Sequence, residues 1–507
     1  MKLTRSSGLL MHITSLPGKY GIGTMGKEAY EFIDNLKSAG QSFWQILPIG
    51  PVSSIFGFSP YSSLSSFAGN YLFIDLESLQ DEPWLSFNIL SSIPEETEND
   101  FVDFNFVAPL KLSILKKASV DFFMNADTEY INDFHEFIDQ QKYWIVDYAL
   151  FMALSDYFKT FSWPEWDSEI RYRNPEAIKK YTELLRKEIH FHKFLQYVFF
   201  RQYGALKSYA KKQGIKIIGD IPIYITYDSA DAWANPAIFQ VDPETSLPSH
   251  IAGVPPDYFS PTGQRWGNPL YKWKENNALF PDTFEWWKKR FKYMFKLFDL
   301  TRVDHFRGFE SYWSIPVTEE TAINGKWERG PGLEFFTRMK LELGNLPIIA
   351  EDLGIITPEV EQLRDTIGAP GMKILQFAFD FDKNNTYLPH NLPSPNCIIY
   401  TGTHDNNTTN GWFYENDIDE PTRNYIADYM NLPHRDSFHW EFIRLALSSI
   451  AALSIFPTQD ILGYGSPYRM NTPGQAHNNW AWKLTPGRLT NDILQELHHL
   501  CKLYNRI

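Results

Sequence analysis

Three observations predict a (β/α)8 TIM barrel with large, mostly helical insertions between barrel strands. Eight short runs rich in β-branched and aromatic residues recur along the 507 residues, helical patterns lie between them, and the runs end in polar, Gly or Pro signals. Near-continuous apolar runs fit parallel strands buried on both faces, and eight of them separated by helices fit a closed barrel. The strands are expected at 8–16 (GLLMHITSL), 42–50 (SFWQILPIG), 215–224 (IKIIGDIPIY) and 300–306 (LTRVDHF). Four more follow at 346–354 (LPIIAEDLG), 372–380 (MKILQFAFD), 397–405 (CIIYTGTHD) and 452–460 (ALSIFPTQD).

The connections are uneven. Residues 51–214, between the second and third strands, far exceed a helical crossover and are expected as an inserted, mostly helical subdomain within one barrel spanning 1–507. There, 133–158 (DFHEFIDQQKYWIVDYALFMALSDYF) and 190–214 (HFHKFLQYVFFRQYGALKSYAKKQG) carry apolar residues three and four apart, and the second pattern stops at Gly214. Their aromatic stripes read as helix packing. A second insertion, 225–298, contains GVPPDYFSPTGQRWGNPLYKW (253–273), rich in Gly and Pro and bearing Tyr258, Trp266, Tyr271 and Trp273. An aromatic-rich stretch of that length is expected to be an ordered functional loop.

Composition narrows the partners. The formal charge of −14, with no basic run beyond pairs such as Lys288–Lys289, lacks the footprint of a nucleic-acid binder. Aromatic residues make up 16%, enough to fill a large core or to line a groove for flat sugar faces. Cys397 and Cys501 alone support neither a disulfide scaffold nor a cysteine-ligated zinc. Lys2 and Arg5 precede an apolar patch, but His12 interrupts it and no small-residue cleavage site follows. No later run is long and apolar enough for a membrane span, so the expected location is cytoplasmic.

The strand ends carry the chemistry. Asp220, Asp304, the pair Glu351–Asp352, His404–Asp405 and Asp460 all fall where a barrel strand is expected to reach its C-terminal rim. One such acid is usually a cap or an ion pair, but repetition around one rim gathers like charges at a cost that stability does not explain. Arg302 and Asp304, two apart on one strand, point the same way, so the guanidinium is expected to lower the pKa of Asp304 and keep it ionised as a nucleophile. The apolar approach PIIA is expected to raise the pKa of Glu351, as a general acid needs. Two carboxylates flanking an acetal carbon are what glycoside chemistry requires, and Asp405 beside His404 suits sugar hydroxyls. No GxGxxG, P-loop, HExxH or GxSxG element is present. His12, His305 and His404 with Asp220 leave a metal site as an alternative, one that suits the aromatic-rich loops less well than sugar binding does.

Ordered motifs across almost the whole chain resemble the amylomaltase (disproportionating enzyme) type of 4-alpha-glucanotransferase, glycoside hydrolase family 77. They run from GLLMHITSLPGKYGIGTMG through SPYSSLSSFAGN, GDIPIY, VPPDYFSPTGQRWGNPLY, RVDHFRGF, AEDLG, GTHDNNT and QDILGYGSPYRMNTPG to NWAWKL. The resemblance implies that Asp304 is the nucleophile, Glu351 the acid/base and Asp405 the transition-state stabiliser. It implies that Tyr61, Asp220, Arg302, His305, His404 and Asn471 surround the reacting sugar, and that Asp257, Ser260, Gln264 and Trp266 contact the glucan from an overhanging loop. The implied reaction is retaining transfer of an α-1,4-glucan segment from a donor maltooligosaccharide, through a covalent glucosyl-Asp intermediate, to the 4-hydroxyl of an acceptor such as glucose or maltose. No metal or organic cofactor is implied. The chain departs from the family pattern at Phe58, where an Asp often stands, at Phe56, where a Tyr is found, and in QAHNNWAWKL. A retaining hydrolase of the α-amylase type, with the same carboxylates in a wetter cleft, is the alternative.

Overall fold

Eight strands form one parallel sheet: β1 (Ser6–Leu10), β2 (Phe43–Gln45), β3 (Lys216–Pro222), β4 (Leu300–Asp304), β5 (Ile348–Ala350), β6 (Gly371–Ile374), β7 (Cys397–Tyr400) and β8 (Leu453–Pro457). The structure, a computed structural model, describes residues 3–89, 91, 93, 99–256, 260–415, 417–432, 437–475 and 477–507. The strand order is β5-β4-β3-β2-β1-β8-β7-β6, and the two ends meet where the Ala350 N–H donates to Pro370 O at 2.9 Å. The sheet therefore curls into a nearly closed barrel. Each strand lies within, or overlaps, one of the eight predicted runs. β1, β6, β7 and β8 are buried along their whole length, the reason their sequences show no polar alternation.

The strands are shorter than the runs, because the polar tail of several runs leaves the ladder at the rim. After β1 the chain enters a 3-10 turn at Ile13–Ser15, after β4 one at Phe306–Phe309, and after β8 a short helix at Thr458–Ile461. Once a strand stops pairing, its side chains are free to converge over the barrel mouth.

Between β2 and β3 run the helices Phe104–Asn125, Thr128–Gln140, Lys142–Phe158, Pro175–Leu184 and Arg186–Gln213. The single pattern expected over 133–158 is two helices, broken at Gln141 (φ −104°, ψ 7°), whose side-chain oxygen accepts from Trp144 Nε1 at 3.0 Å. The periodicity runs through the break because both helices turn apolar residues to the same neighbour, Arg186–Gln213. That long helix stops at Gly214, which takes the left-handed conformation (φ 84°).

The stretch 253–273 is not simply a loop. Gln264–Pro269 pairs with His250–Val254 in a four-stranded antiparallel sheet, completed by Ser311–Pro316 and Lys326–Arg329 from beyond β4. Gly253, Gly267 and Pro269 read locally as breakers; Gln264–Pro269 pairs with the nearby His250–Val254, and that strand pairs in turn with Ser311–Pro316, remote in sequence. Among the described residues no helix is long and apolar enough to cross a membrane.

Candidate active site

The parallel register of β3 and β4 sets Asp220 opposite Arg302 and Pro222 opposite Asp304. Arg302 and Asp304, two apart, share one face of β4. Arg302 Nη1 donates to both oxygens of Asp220, at 2.9 and 2.7 Å, while Nη2 lies 2.9 Å from Asp304 Oδ1. The Tyr61 hydroxyl donates to the second Asp220 oxygen at 2.7 Å. Asp220 thus accepts from a buried guanidinium and a half-buried phenol.

The chain reverses directly after Asp304. His305 takes a left-handed backbone (φ 50°, ψ 47°), which costs a non-glycine residue of order 1 kcal/mol. In that conformation its N–H donates to Glu351 Oε2 at 2.6 Å, and the Leu353 N–H donates to Oε1 at 2.8 Å. Glu351, the first residue after β5, is buried with its carboxyl plane fixed by two backbone amides.

Asp405 stands beyond β7 on a turn in which Asn406 Oδ1 accepts from Thr403 Oγ1 at 2.8 Å and from Thr403 N at 2.9 Å. Asn471 Nδ2 donates to Asp405 Oδ1 at 2.6 Å, and His404 Nε2 lies 3.3 Å from Oδ2. The His404 ring stacks on Tyr61 (centroids 5.1 Å apart, planes 15° apart), and Trp480 closes against both rings. Tyr61 therefore ties the Asp220–Arg302 side of the mouth to the Asp405 side.

The three carboxyls hold protons differently. Burial raises Glu351, the neighbouring charge of Asp304 raises it further, and together they outweigh Arg302 and the two amides, so its pKa is pushed up to about 8. This agrees with the sequence expectation and leaves Glu351 protonated at neutral pH. For Asp405 burial also acts upward, but His404, the Asn471 hydrogen bond and Arg302 prevail and hold it well below the usual carboxylate range.

Asp304 corrects the sequence reading. Burial raises its pKa, Arg302 opposes, Asp220 and Asp405 raise it again, and the net is a rise to about 6 rather than a fall. Arg302 does touch Asp304, but its charge is shared with Asp220, and one guanidinium cannot neutralise two carboxylates. The Asp304 side chain is 29% exposed to the mouth, so it remains ionised and accessible at neutral pH.

From the sheet side, the Trp266 ring meets the His305 ring edge-on at 4.8 Å, and its Nε1 donates to Gln264 Oε1 at 3.1 Å. Ser260 Oγ donates to Gly263 O at 2.7 Å in the turn leading to Gln264. Asp257 lies outside the described residues. The mouth thus gathers Tyr61, Asp220, Arg302, Asp304, His305, Glu351, His404, Asp405 and Asn471, with Gln264 joined through Trp266.

Two of the acidic strand ends have other duties. Asp460 accepts from Thr401 Oγ1 at 2.6 Å and from the Thr409 N–H at 2.7 Å, and Asp352 accepts from the Met372 N–H at 2.7 Å and pairs with Arg364. Both fasten the loops that carry site residues. Sequence reasoning missed Trp480, Tyr224, which tilts against Trp266 and His305, and Arg469, which donates to Asn471 O at 2.7 Å and to Asp405 O. Arg469 stands inside the RMNTPG motif and Tyr224 at the end of the third run, so adjacency was the available signal. His12 lines a cavity with His404 and Arg469, and burial together with His404 lowers its pKa to about 3. Among the described residues no three His, Cys, Asp or Glu side chains converge to hold a metal ion.

The model of glycoside hydrolase family 77, described as 4-alpha-glucanotransferase, matches residues 11–490. The chain is 48% identical over 503 residues to the 4-alpha-glucanotransferase of Synechocystis, covering 99% of this chain and 98% of that one. It is 43% identical over 511 residues to that of Thermus thermophilus, covering 100% of each. Among solved structures, the amylomaltase from Streptococcus agalactiae in complex with acarbose matches with a TM-score of 0.94 at 39% identity over 99% of both chains. The Corynebacterium glutamicum amylomaltase, at 19% identity, shares the fold with a TM-score of 0.75 over 99% of this chain and 75% of that one.

Proposed function

We propose, for a chain that belongs to the 4-alpha-glucanotransferase family, glycoside hydrolase family 77, that Asp304 is the nucleophile, Glu351 the acid/base and Asp405 the carboxylate that steadies the transition state. The enzyme transfers a segment of an α-1,4-glucan from a donor to the 4-hydroxyl of an acceptor. An Asp304 oxygen attacks the anomeric carbon while the glycosidic C–O bond breaks and the departing oxygen takes the Glu351 proton. The Glu351 carboxylate then takes the proton of the acceptor 4-hydroxyl, whose oxygen displaces Asp304 and restores the α-linkage. Glucose and maltose are the acceptors we expect. Residues 51–214 and 225–298 serve as insertions within a single catalytic barrel, 1–507.

The observation that carries this reading is the division of protons. Two carboxyls at one barrel mouth, Asp304 and Glu351, cannot both ionise beside one shared guanidinium, so the buried one keeps its proton as an acid and the accessible one stays charged. Asp405, charged and held by Asn471 and His404, is placed to bind ring hydroxyls as positive charge develops at the sugar. Trp266 beside His305 supports transfer over hydrolysis, because a held acceptor competes with water through effective concentration.

The test is the product profile from maltotriose, with Asp304→Asn and a chelator control alongside. Glucose plus a ladder of longer maltooligosaccharides, with little gain in reducing ends and none of it from the variant, is the expected result. Glucose and maltose without longer chains would establish a hydrolase instead.

A further inference from the structure

Arg307, three residues beyond Asp304, is buried to 4% exposure, yet its partners are neutral. Its Nη1 donates to Ile355 O, its Nη2 lies 3.2 Å from Ser311 Oγ, and its guanidinium lies over the Trp327 ring, 3.8 Å from the centroid. A buried cation held, among the described residues, by a carbonyl, a hydroxyl and an aromatic face is costly to desolvate, and burial lowers its pKa to about 10. A role in position rather than in charge balance accounts for keeping it.

The position is specific. Glu351 is held by two amides, those of His305 and Leu353. His305 lies two residues before Arg307, and Leu353 lies two residues before Ile355, the residue whose carbonyl Arg307 grips. One guanidinium therefore fastens together the two separate backbone stretches whose N–H groups orient the Glu351 carboxyl. The same side chain rests on Trp327 and reaches Ser311, so the cradle is braced against the antiparallel sheet that also carries Trp266.

Resting on the reading of Glu351 as acid/base, we infer that Arg307 is a positioning residue that staples the two halves of the Glu351 cradle and so sets the aim of the acid/base without touching substrate. Arg307→Met cuts both attachments. Arg307→Lys keeps the positive charge and loses the two-ended fork. Trp327→Leu, at a side chain 40% exposed, removes the platform beneath the guanidinium with little risk to folding.

The experiment compares two reactions of each purified variant. Maltotriose disproportionation needs a well-aimed Glu351 in both steps. Fluoride release from α-maltosyl fluoride in the presence of azide needs it in neither, since fluoride departs with little acid assistance and azide attacks without a base. On maltotriose we expect kcat to fall about 100-fold in Arg307→Met, about 10-fold in Arg307→Lys and less in Trp327→Leu, with KM nearly unchanged, as small misplacements of a catalytic group do. On the fluoride with azide all three should stay within about three-fold of the parent. Equal losses on both donors, a rise in KM alone, or full activity in Arg307→Lys would overturn the staple. Glu351→Ala is the separate control: an equal loss on both donors there would overturn the acid/base reading on which the staple rests.

Discussion

The two ends of the barrel both bury arginine, and they use it in opposite ways. At the floor, where the strands begin, Arg506 donates to the carbonyls of Ser6, Ala446, Leu447, Ser449 and Ala451, and Arg5 to those of Leu447, Ser449 and Tyr504. These oxygens include the orphaned C-terminal carbonyls of the helix Phe438–Ser448, where a cation is well placed. No carboxylate takes part in these contacts. At the mouth, Arg302 lies between Asp220 and Asp304 with Glu351 close behind, so three carboxyls share one guanidinium. Burying a charge is therefore not the mark of chemistry here. At the floor the arginines are satisfied by neutral carbonyls and no acid among the described residues is there to hold a proton, whereas the mouth carries an excess of acid that forces one proton to stay.

Four substitutions or titrations sharpen that contrast. Asp304→Asn should abolish transfer, lowering kcat by about four orders of magnitude or more, while its thermal midpoint stays level or rises because one of the crowded carboxylates is gone. A variant that keeps more than about a hundredth of parent activity would break the assignment. Arg506→Met should do the reverse: stability falls by about 3 kcal/mol as buried carbonyls lose their donor, measured by urea unfolding, and kcat well below the melting range stays within about two-fold.

A pH profile of kcat/KM probes the excess directly. It should be bell-shaped, with an acid limb near about 6 and an alkaline limb near about 8. Activity falls on the acid side as Asp304 gains a proton, and on the alkaline side as Glu351 loses the one it must donate; because the two interact, the limbs belong to the pair. A flat alkaline side up to pH 10 would mean that Glu351 is not the donor. The smallest effect is expected from Trp266→Ala, which leaves every carboxyl in place. Transfer should fall by about five- to ten-fold and the share of hydrolysis rise, read as reducing ends gained per glucose released. An unchanged share would remove Trp266 from the acceptor side.

Much of this was legible in the sequence, for identifiable reasons. All eight barrel strands show as runs rich in apolar residues, because strands covered on both faces bury nearly every side chain, and the polar residues among them, such as Asp220 and Arg302, are buried too. The carboxylates of the site stand at or near the ends of those runs, while Tyr61, Trp266 and Asn471 stand in motifs between or beyond them, and the expected proton on Glu351 follows from its apolar approach. The break at Gln141 was not legible, since both helices face one neighbour and keep one periodicity. The sheet built from His250–Val254, Gln264–Pro269, Ser311–Pro316 and Lys326–Arg329 was hidden because each strand is short and rich in breakers, and its partners come from both sides of β4. Phe58 has a left-handed backbone (φ 57°) and stacks on Phe104 at 4.7 Å, a helix contact that explains how an aromatic stands at that turn.

By itself the sequence determined the barrel, its strands, and the kinds of group at its mouth, because these depend on local patterns of burial and on residues close together in the chain. Only the tertiary structure decided what those groups are. Asp304 gains proton affinity, against the local expectation, because burial raises it and Arg302, shared with Asp220 82 residues away along the chain, does not offset that rise. Asp352 and Asp460 leave the chemistry because Arg364, Thr401 and Thr409 occupy their oxygens. Proton affinity and aim are set by the sum of nearby charges, dipoles and lost water, and that sum exists only once remote segments have been brought together.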